Sequence, residues 1–283
     1  VLISGGKDSS LLLHQLATQH PDLRIMTLLV DNGFMSPIAL ENAERVRAKF
    51  DVDHMIYRLK SSFVSKGFAF TLTHLDRQLG YSIVDLLDGT FTFNAARNLA
   101  SQMGIPLILC GLSRTQAETV FGDDDYELPP GRELEVFEEL SQTPLYEIFN
   151  EEEMDRFWER SKYPNVEPPR FIMPYVASDP AETYILNEVE RLGLLEADRT
   201  RPLLTNNALI PVIAIAEINH LGYTSFEVEF SQMIRGGKSD RTYWRNLFEM
   251  AEYSAKTGHF LSDSTMATLK ELGLSKQDVG LSF

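Results

Sequence analysis

VLISGGKDSS, residues 1–10, is the stretch that decides the fold. Val1-Leu2-Ile3 is a short apolar run, and from Ser9 onward leucines recur at helical spacing. The pattern predicts a buried strand, a tight polar loop and a helix. Two glycines let such a loop turn sharply, and its N–H groups together with the helix start form a site for an anion.

The chain as far as Gly122 repeats this alternation of apolar strands and helices. Residues 25–30, 54–57 and 106–110 are predicted strands. Ser36-Pro37 supplies a cap and a first helical residue for a helix that ends at about Phe50. We therefore predict an α/β fold for residues 1–122, with a mainly parallel sheet covered by helices on both faces.

The composition changes after Gly122. Residues 123–173 are acidic and carry turn signals, which predicts an exposed insertion or linker. Residues 174–283 are predicted to be mainly helical, and we expect them to bind the second substrate. A stripe of Tyr243, Leu247 and Met250 on one of these helices is interpreted as core.

The net charge of −15 comes from 41 Asp and Glu residues against 26 Lys and Arg residues. Such a surface repels nucleic acid on average, so a small-molecule or carrier-bound acceptor is favoured over nucleic acid. A single cysteine excludes an internal disulfide and a cysteine-built metal site, and it is typical of a cytoplasmic protein. No apolar run has the length of a membrane span, so we expect no membrane partner. The first residue is not Met, so we expect a further segment upstream.

The chemistry is predicted to lie in Ser4-Gly5-Gly6-Lys7-Asp8-Ser9, called the SGGKDS loop below. The serine hydroxyls can donate hydrogen bonds to phosphate oxygens, and Lys7 brings a mobile positive charge. Asp8 has the same charge sign as a phosphate, so its expected role is to hold Mg²⁺ or to orient donors of the loop. The spacing is not that of a Walker loop. A capped helix start without a ligand is the alternative.

The SGGKDS loop resembles the SGGxDS signature of the PP-loop ATP pyrophosphatases, or adenine nucleotide α-hydrolases. Within that superfamily the chain is similar to the tRNA-thiolation and N-acetyl sugar amidotransferase branches. The resemblance implies a HUP-type, Rossmann-like sheet and the cofactors ATP and Mg²⁺. It also implies cleavage of ATP between its α- and β-phosphates, with Lys7 and Asp8 as catalytic residues and Asp8 as the metal ligand.

Two further stretches fit the family pattern. Asp31 ends the second predicted strand where the family contacts adenosine, or it simply ends that strand in a turn. Residues 109–119 resemble the GHxxDDxxET stretch of the thiolation branch, which implies that Gly111 approaches the nucleotide and that Glu118 assists a metal or the substrate. The His and the acidic pair of that stretch are replaced here, which leaves Arg114 as either a phosphate clamp or an exposed arginine at a helix start.

The same branches typically carry a CxxC motif that is missing from this sequence. Residues 85–89 of the corresponding region read DLLDG, for which a surface turn is favoured over substrate contacts. Cys110 is interpreted as a small buried hydrophobe. A mechanism that carries sulfur on the chain's own thiols is therefore disfavoured.

Arg235 and Lys238 flank two glycines in an otherwise acidic chain. This cluster suits an anion such as pyrophosphate or a carboxylate, and a loop with solvated charges fits it equally well. Asn206 and Asn207 either recognise the substrate or complete a turn.

The predicted function is ATP-dependent adenylation of a carbonyl, carboxyl or amide oxygen on a small-molecule or carrier-bound acceptor. Pyrophosphate leaves, and ammonia or a sulfur donor from a partner protein then displaces AMP, with amidation ranked ahead of thioamidation. Two alternatives stay open: a tRNA-modifying 2-thiolation or lysidine-type ligase, and a nucleotide-binding regulatory module without turnover. The sequence leaves open whether the chain forms a homodimer.

Overall fold

The first sheet consists of two parallel strands, β1 (Met26–Asp31) and β2 (Asp53–Arg58). Their register runs from Met26 opposite Asp53 to Asp31 opposite Arg58. The computed structural model describes residues 1–75, 82–132, 139–201, 207–281 and 283. Asn206 therefore lies outside the described residues.

Residues 1–3 connect β1 to the next strands. The N–H of Leu28 donates to Val1 O at 2.9 Å, and the N–H of Ile3 donates to Leu28 O at 2.9 Å. On the other side, the N–H of Leu2 donates to Leu109 O at 2.8 Å. The SGGKDS loop therefore follows a segment that is hydrogen-bonded to strands on both of its sides.

The second sheet has the order β3–β7–β4, with β3 (Leu107–Leu109) parallel and β4 (Glu127–Leu128) antiparallel to β7 (Arg170–Ile172). A small hairpin pairs β5 (Glu139–Leu140) with β6 (Thr143–Pro144). The fold is therefore α/β, as predicted, and its strands form small parallel and mixed sheets instead of one mainly parallel sheet.

Helices surround these strands and form the C-terminal part of the chain. Before residue 174 they are α1 (Lys7–Gln19), α2 (Pro37–Phe50), α3 (Ser61–Thr73), α4 (Ile83–Met103), α5 (Arg114–Phe121), α6 (Leu145–Ile148) and α7 (Glu151–Met154). After it they are α8 (Pro174–Ser178), α9 (Glu182–Arg191), α10 (Leu209–Leu221), α11 (Ser225–Arg235), α12 (Arg241–Thr257) and α13 (Ser262–Glu271). Short 3-10 helices span Arg160–Lys162 and Ala197–Arg199. Within the described residues, no helix combines the length and the apolar character that a membrane span needs.

The side chains of β1 alternate between two apolar clusters. Leu28 and Val30 pack into the larger cluster with helices α3, α4 and α10, whereas Leu29 packs with Ile3 and with helices α1, α2 and α9. Because successive residues of a strand point to opposite faces, this alternation means that helices cover both faces of β1.

Helix α4 includes the residues for which a surface turn was favoured. Asp85 and Asp88 lie in its first two turns, and Ser82 caps it through a hydrogen bond from the N–H of Asp85. The surface turn favoured for residues 85–89 is therefore wrong. Buried residues occur all round this helix, so it lacks the one-sided apolar stripe by which a helix is usually recognised.

Residues 123–173 differ from an exposed linker because they supply β4 and β7 to the second sheet. Arg97 of α4, which is fully buried, holds this segment in place. Its guanidinium donates to Leu128 O at 2.7 Å and to Pro129 O at 3.1 Å, and it lies 5.4 Å from the ring centre of Phe171. The division of the chain at residues 122 and 173 stays a prediction.

Arg97→Met is expected to lower the free energy of unfolding by about 3 kcal/mol or more, because buried carbonyl groups lose charged hydrogen-bond donors. Arg170→Met is the matched control. Arg170 contacts Glu127 on the exposed side of the same strands, and such a surface ion pair contributes at most about 1 kcal/mol. Urea unfolding of both variants measures the difference, and equal losses would contradict the role given to Arg97.

Candidate functional site

The SGGKDS loop is pressed against the start of α2. Gly5 has φ +75°, and a Cβ atom at this position would lie 1.9 Å from the carbonyl oxygen of Ala39. The Asn42 side chain, which is fully buried, donates to Gly5 O at 3.0 Å and to Arg199 O at 3.0 Å. Only glycine tolerates both this conformation and this contact.

Hydrogen bonds among its serines organise the loop from within. The N–H of Ser4 donates to Ser9 Oγ at 3.2 Å, and the N–H of Gly6 donates to Ser4 Oγ at 3.3 Å. The hydroxyl of Ser10 donates to Gly6 O at 2.7 Å. Gly6 is the N-cap of α1 and provides no side-chain cap, so the first N–H groups of this helix stay available to a ligand.

Lys7 and Asp8 form an ion pair with 2.7 Å between Nζ and Oδ2. Burial opposes the charge on Lys7, but the nearby carboxylates of Asp8, Glu182 and Glu229 outweigh it and raise the pKa of the amine. Lys7 is therefore a fixed positive charge at the start of α1.

A cavity of about 360 Å³ opens at the loop. Gly6, Lys7, Asp8 and Ser9 line it, together with Ser4. Gly111 lines it as well, and a Cβ atom there would lie 3.3 Å from backbone atoms of Asp8 and Ser9. The structure therefore brings Gly111 against the SGGKDS loop. That Gly111 approaches the nucleotide stays a prediction.

Four carboxylates that are not among the predicted site residues also line the cavity. They are Asp85, Asp88, Glu182 and Glu229. Burial raises the pKa of Asp88 to about 7, Asp85 adds to the rise, and a 2.8 Å hydrogen bond from Asn32 Nδ2 opposes it. Asn207 donates to the other oxygen of Asp88 at 3.4 Å, which gives that asparagine a contact in the wall of the cavity.

Glu182 and Glu229 come from the helical C-terminal part. Oε2 of Glu182 accepts from Trp244 Nε1 at 3.0 Å and from the hydroxyl of Ser239. Burial raises the pKa of Glu229 to about 8, with a further contribution from Asp85 and with Lys7 acting in the opposite direction. Burial therefore disfavours negative charge on Glu229.

The remaining wall is apolar and largely aromatic. Its residues from α11, α12 and the segment after α12 are Phe226, Phe230, Met233, Trp244, Leu247, Phe248, Met250, Ala251 and Leu261. Phe230 and Trp244 stack on one another. Leu247 and Met250, which were interpreted as core, thus also line the cavity.

Cys110 lies at the edge of the cavity beside Gly111. Burial raises the pKa of its thiol to about 11. A thiol in this state is neutral near pH 7, so it does not serve as a nucleophile there.

Five predicted site residues are absent from the lining of this cavity: Asp31, Arg114, Glu118, Arg235 and Lys238. The carboxylate of Asp31 accepts from the N–H of Gly33 at 2.7 Å and from Arg58 Nε at 2.7 Å, so it completes the turn that was the alternative reading.

Arg114 and Lys238 share Asp179 as a charged partner. Nζ of Lys238 bonds both oxygens of Asp179 at 2.6 Å, and Nε of Arg114 donates to Val176 O at 3.0 Å and lies 3.9 Å from Asp179. Glu118 and Arg235 are exposed. These four side chains are therefore not among the residues that line the cavity.

Asp8 is the carboxylate of the SGGKDS loop, and its role as a magnesium ligand stays a prediction. The described residues contain no group of three or more His, Cys, Asp or Glu side chains that could hold a metal ion. Mg²⁺ is commonly bound through one or two carboxylates plus substrate phosphates and water, which a single acid beside a phosphate site can provide.

Comparison with known proteins adds no family assignment. No protein-family model matches the chain, and no curated protein matches it. The resemblance to PP-loop enzymes therefore rests on the SGGKDS loop and its setting.

Gly5→Ala is expected to lower the free energy of unfolding by more than about 2 kcal/mol, because the new methyl group would overlap Ala39 O and the positive φ would be strained. Gly6→Ala is the control, since its Cβ would lie 3.3 Å from a serine hydroxyl and its φ is −86°. That change is expected to cost less than about 1 kcal/mol. Thermal and urea unfolding measure both, and a tolerated Gly5→Ala would show that the loop is not fixed as described.

Glu229→Gln is expected to flatten the pH dependence of stability. The pKa of Glu229 rises from 4.5 to about 8 in the folded protein, so the folded state holds this proton more tightly than the unfolded chain does. Its contribution to stability is therefore full below pH 4.5 and declines as the pH rises towards 8, by up to about 1.4 kcal/mol per pH unit. Glu229→Gln should match the wild type at pH 4.5 and exceed it at pH 8.5 in urea unfolding. Glu249→Gln, which changes an exposed acid of α12, should show the wild-type slope.

Proposed function

We propose that this protein is an ATP-dependent, AMP-forming enzyme of the PP-loop type. The observation that carries the proposal is the SGGKDS loop: a glycine turn fixed on α2 leads into the uncapped start of α1 at the edge of a cavity. Its residues from Gly6 to Ser9 border that cavity, and Lys7 supplies a positive charge there. Helix starts with free N–H groups are a preferred position for phosphate.

The fold is proposed to be of the HUP type. Residues 1–3 lie beside β1 in a parallel bridge, β1 pairs in parallel with β2, and β3 pairs in parallel with β7. This order supports a Rossmann-like sheet, in which ligands bind beyond the carboxyl ends of the strands. The SGGKDS loop follows such a strand end.

The backbone N–H groups of the loop, Lys7 and Asp8 have separate roles in this reaction. The N–H groups at the start of α1 bind the β- and γ-phosphates, and Lys7 balances the charge that develops on the departing pyrophosphate. Asp8 holds Mg²⁺, which neutralises phosphate charge when it is bound. An oxygen of the acceptor attacks the α-phosphorus, the bond to the β-phosphate oxygen breaks, and the acceptor carries AMP.

The nucleophile that displaces AMP is proposed to come from outside the chain. Cys110 is the single cysteine, and the raised pKa of its thiol keeps sulfur chemistry away from this position at neutral pH. Ammonia from a donor protein agrees with this arrangement better than a sulfur relay on the chain does. Amidation of the acceptor therefore remains ahead of thioamidation.

Lys7→Ala is expected to lower ATP–pyrophosphate exchange by at least about 100-fold, since it removes a charge that stabilises the transition state. The assay uses Mg·ATP with a protein-free small-molecule extract or with total tRNA. Lys60→Ala, which changes an exposed lysine paired with Glu152, is the control and should exchange like the wild type.

Exchange that depends on the small-molecule extract supports the proposal. Exchange with tRNA alone would instead identify a tRNA-modifying enzyme. Tight binding of AMP with no pyrophosphate release under either condition would indicate a regulatory module.

A further inference from the structure

Two buried carboxylates of the cavity have no task in the phosphate chemistry. Glu182 is 2% exposed and Glu229 is 5% exposed, and both line the same cavity as Lys7. Ionised carboxylates repel phosphate groups. These two acids therefore face something other than the nucleotide.

Both carboxylates have unused hydrogen-bonding capacity. Oε1 of Glu182 is buried and has no hydrogen-bond partner within the described part of the chain. No hydrogen bond from a described residue reaches the carboxylate of Glu229, and the ammonium of Lys7 bonds Asp8 instead. A buried carboxylate without a donor is costly, so this arrangement points to a ligand that brings the donors.

An organic cation fits these carboxylates better than a metal ion does. Among the described residues that line the cavity, Lys7 is the one basic side chain, against five acids: Asp8, Asp85, Asp88, Glu182 and Glu229. These acids do not form a group of three that could hold a metal, as far as the described residues show. A cation that donates hydrogen bonds can instead bridge two carboxylates that stand apart.

The cavity wall beside Glu182 and Glu229 favours a ligand with an apolar body. Phe230 and Trp244 stack on each other, and Phe248 lies with its ring centre 5.7 Å from that of Trp244. The hydrogen bond from Trp244 Nε1 to Glu182 Oε2 holds the indole next to the acid. A ligand that reaches Glu182 therefore lies along aromatic side chains.

We infer that this part of the cavity binds an organic cation with an apolar or aromatic body, its ammonium group held by Glu182 and Glu229 and its body packed along Phe230, Trp244 and Phe248. Such a molecule is the substrate class from which the acceptor is drawn. The acceptor role rests on the proposed function, whereas the binding of the cation does not.

The test compares three ligands that share an indole body. Tryptamine carries an ammonium group, tryptophol carries a neutral hydroxyl group, and indole-3-acetate carries a carboxylate. Calorimetry on the whole chain at pH 8.5 without ATP or Mg²⁺ measures the three dissociation constants, at a pH where Glu229 is largely ionised. Tryptamine is expected to bind at least about tenfold more tightly than tryptophol, and indole-3-acetate is expected to bind most weakly.

Two variants test whether Glu182 and Glu229 cause the preference for tryptamine over tryptophol. Glu229→Gln and Glu182→Gln should each weaken tryptamine by about tenfold while leaving tryptophol nearly unchanged, because each removes one charge from the pair. Glu227→Gln is the matched control, since Glu227 lies on the same helix α11 but not in the lining of the cavity. Its dissociation constants should equal those of the wild type. Circular dichroism confirms that each variant is folded.

Several outcomes would overturn the inference. Equal binding of tryptamine and tryptophol, absence of tryptamine binding, or a preference that survives in Glu229→Gln would each do so. Stabilisation by Mg²⁺ alone that is lost in Glu229→Gln would also do so, because the acids would then hold a metal. Failure of ATP–pyrophosphate exchange with an intact tryptamine preference would remove the proposed function and leave the cation site standing.

Discussion

The close contact between Gly5 and the carbonyl oxygen of Ala39 is the constraint on which the rest of the site depends. It fixes the SGGKDS loop on α2, and Asn42 completes the connection by binding Gly5 O from the same helix. Once the loop is fixed, the start of α1 borders the cavity, and Gly111 can pass within van der Waals distance of Asp8. A Cβ atom at Gly5 would overlap Ala39 O, and one at Gly111 would lie only 3.3 Å from backbone atoms of the loop, so the site requires two points of near contact between backbones.

Local patterns of the sequence predicted the elements around the loop well. Ser36 accepts from the N–H of Ala39 and Pro37 is the first residue of α2, as the Ser-Pro pair indicated. The alternation of strands and helices also predicted the α/β class. These features depend on neighbours within a few residues, which is the range over which capping and periodicity act.

The acids of the cavity could not be assigned in the same way, because they come from distant parts of the chain. Glu229 lies at helical spacing from Phe226 and Met233 on the buried side of α11, and an acid on such a stripe was a signal that could have been used. Asn42 likewise stands between Ala39 and Val46 on the buried side of α2. Asp31 and Lys238 are each engaged by a nearby ion pair and are absent from the lining of the cavity, so their predicted contacts with the nucleotide stay predictions.

The chain contains two tryptophans, and they occupy very different positions. Trp158 is buried among the residues around α4 and donates to Ser101 Oγ at 3.0 Å, whereas Trp244 lies in the wall of the cavity with its indole N–H on Glu182. A carboxylate beside an indole and an aromatic ring stacked on it both affect the excited state of tryptophan. The cavity thus contains an optical reporter of its own, and a Trp158→Phe protein would emit from a single indole in direct contact with whatever enters.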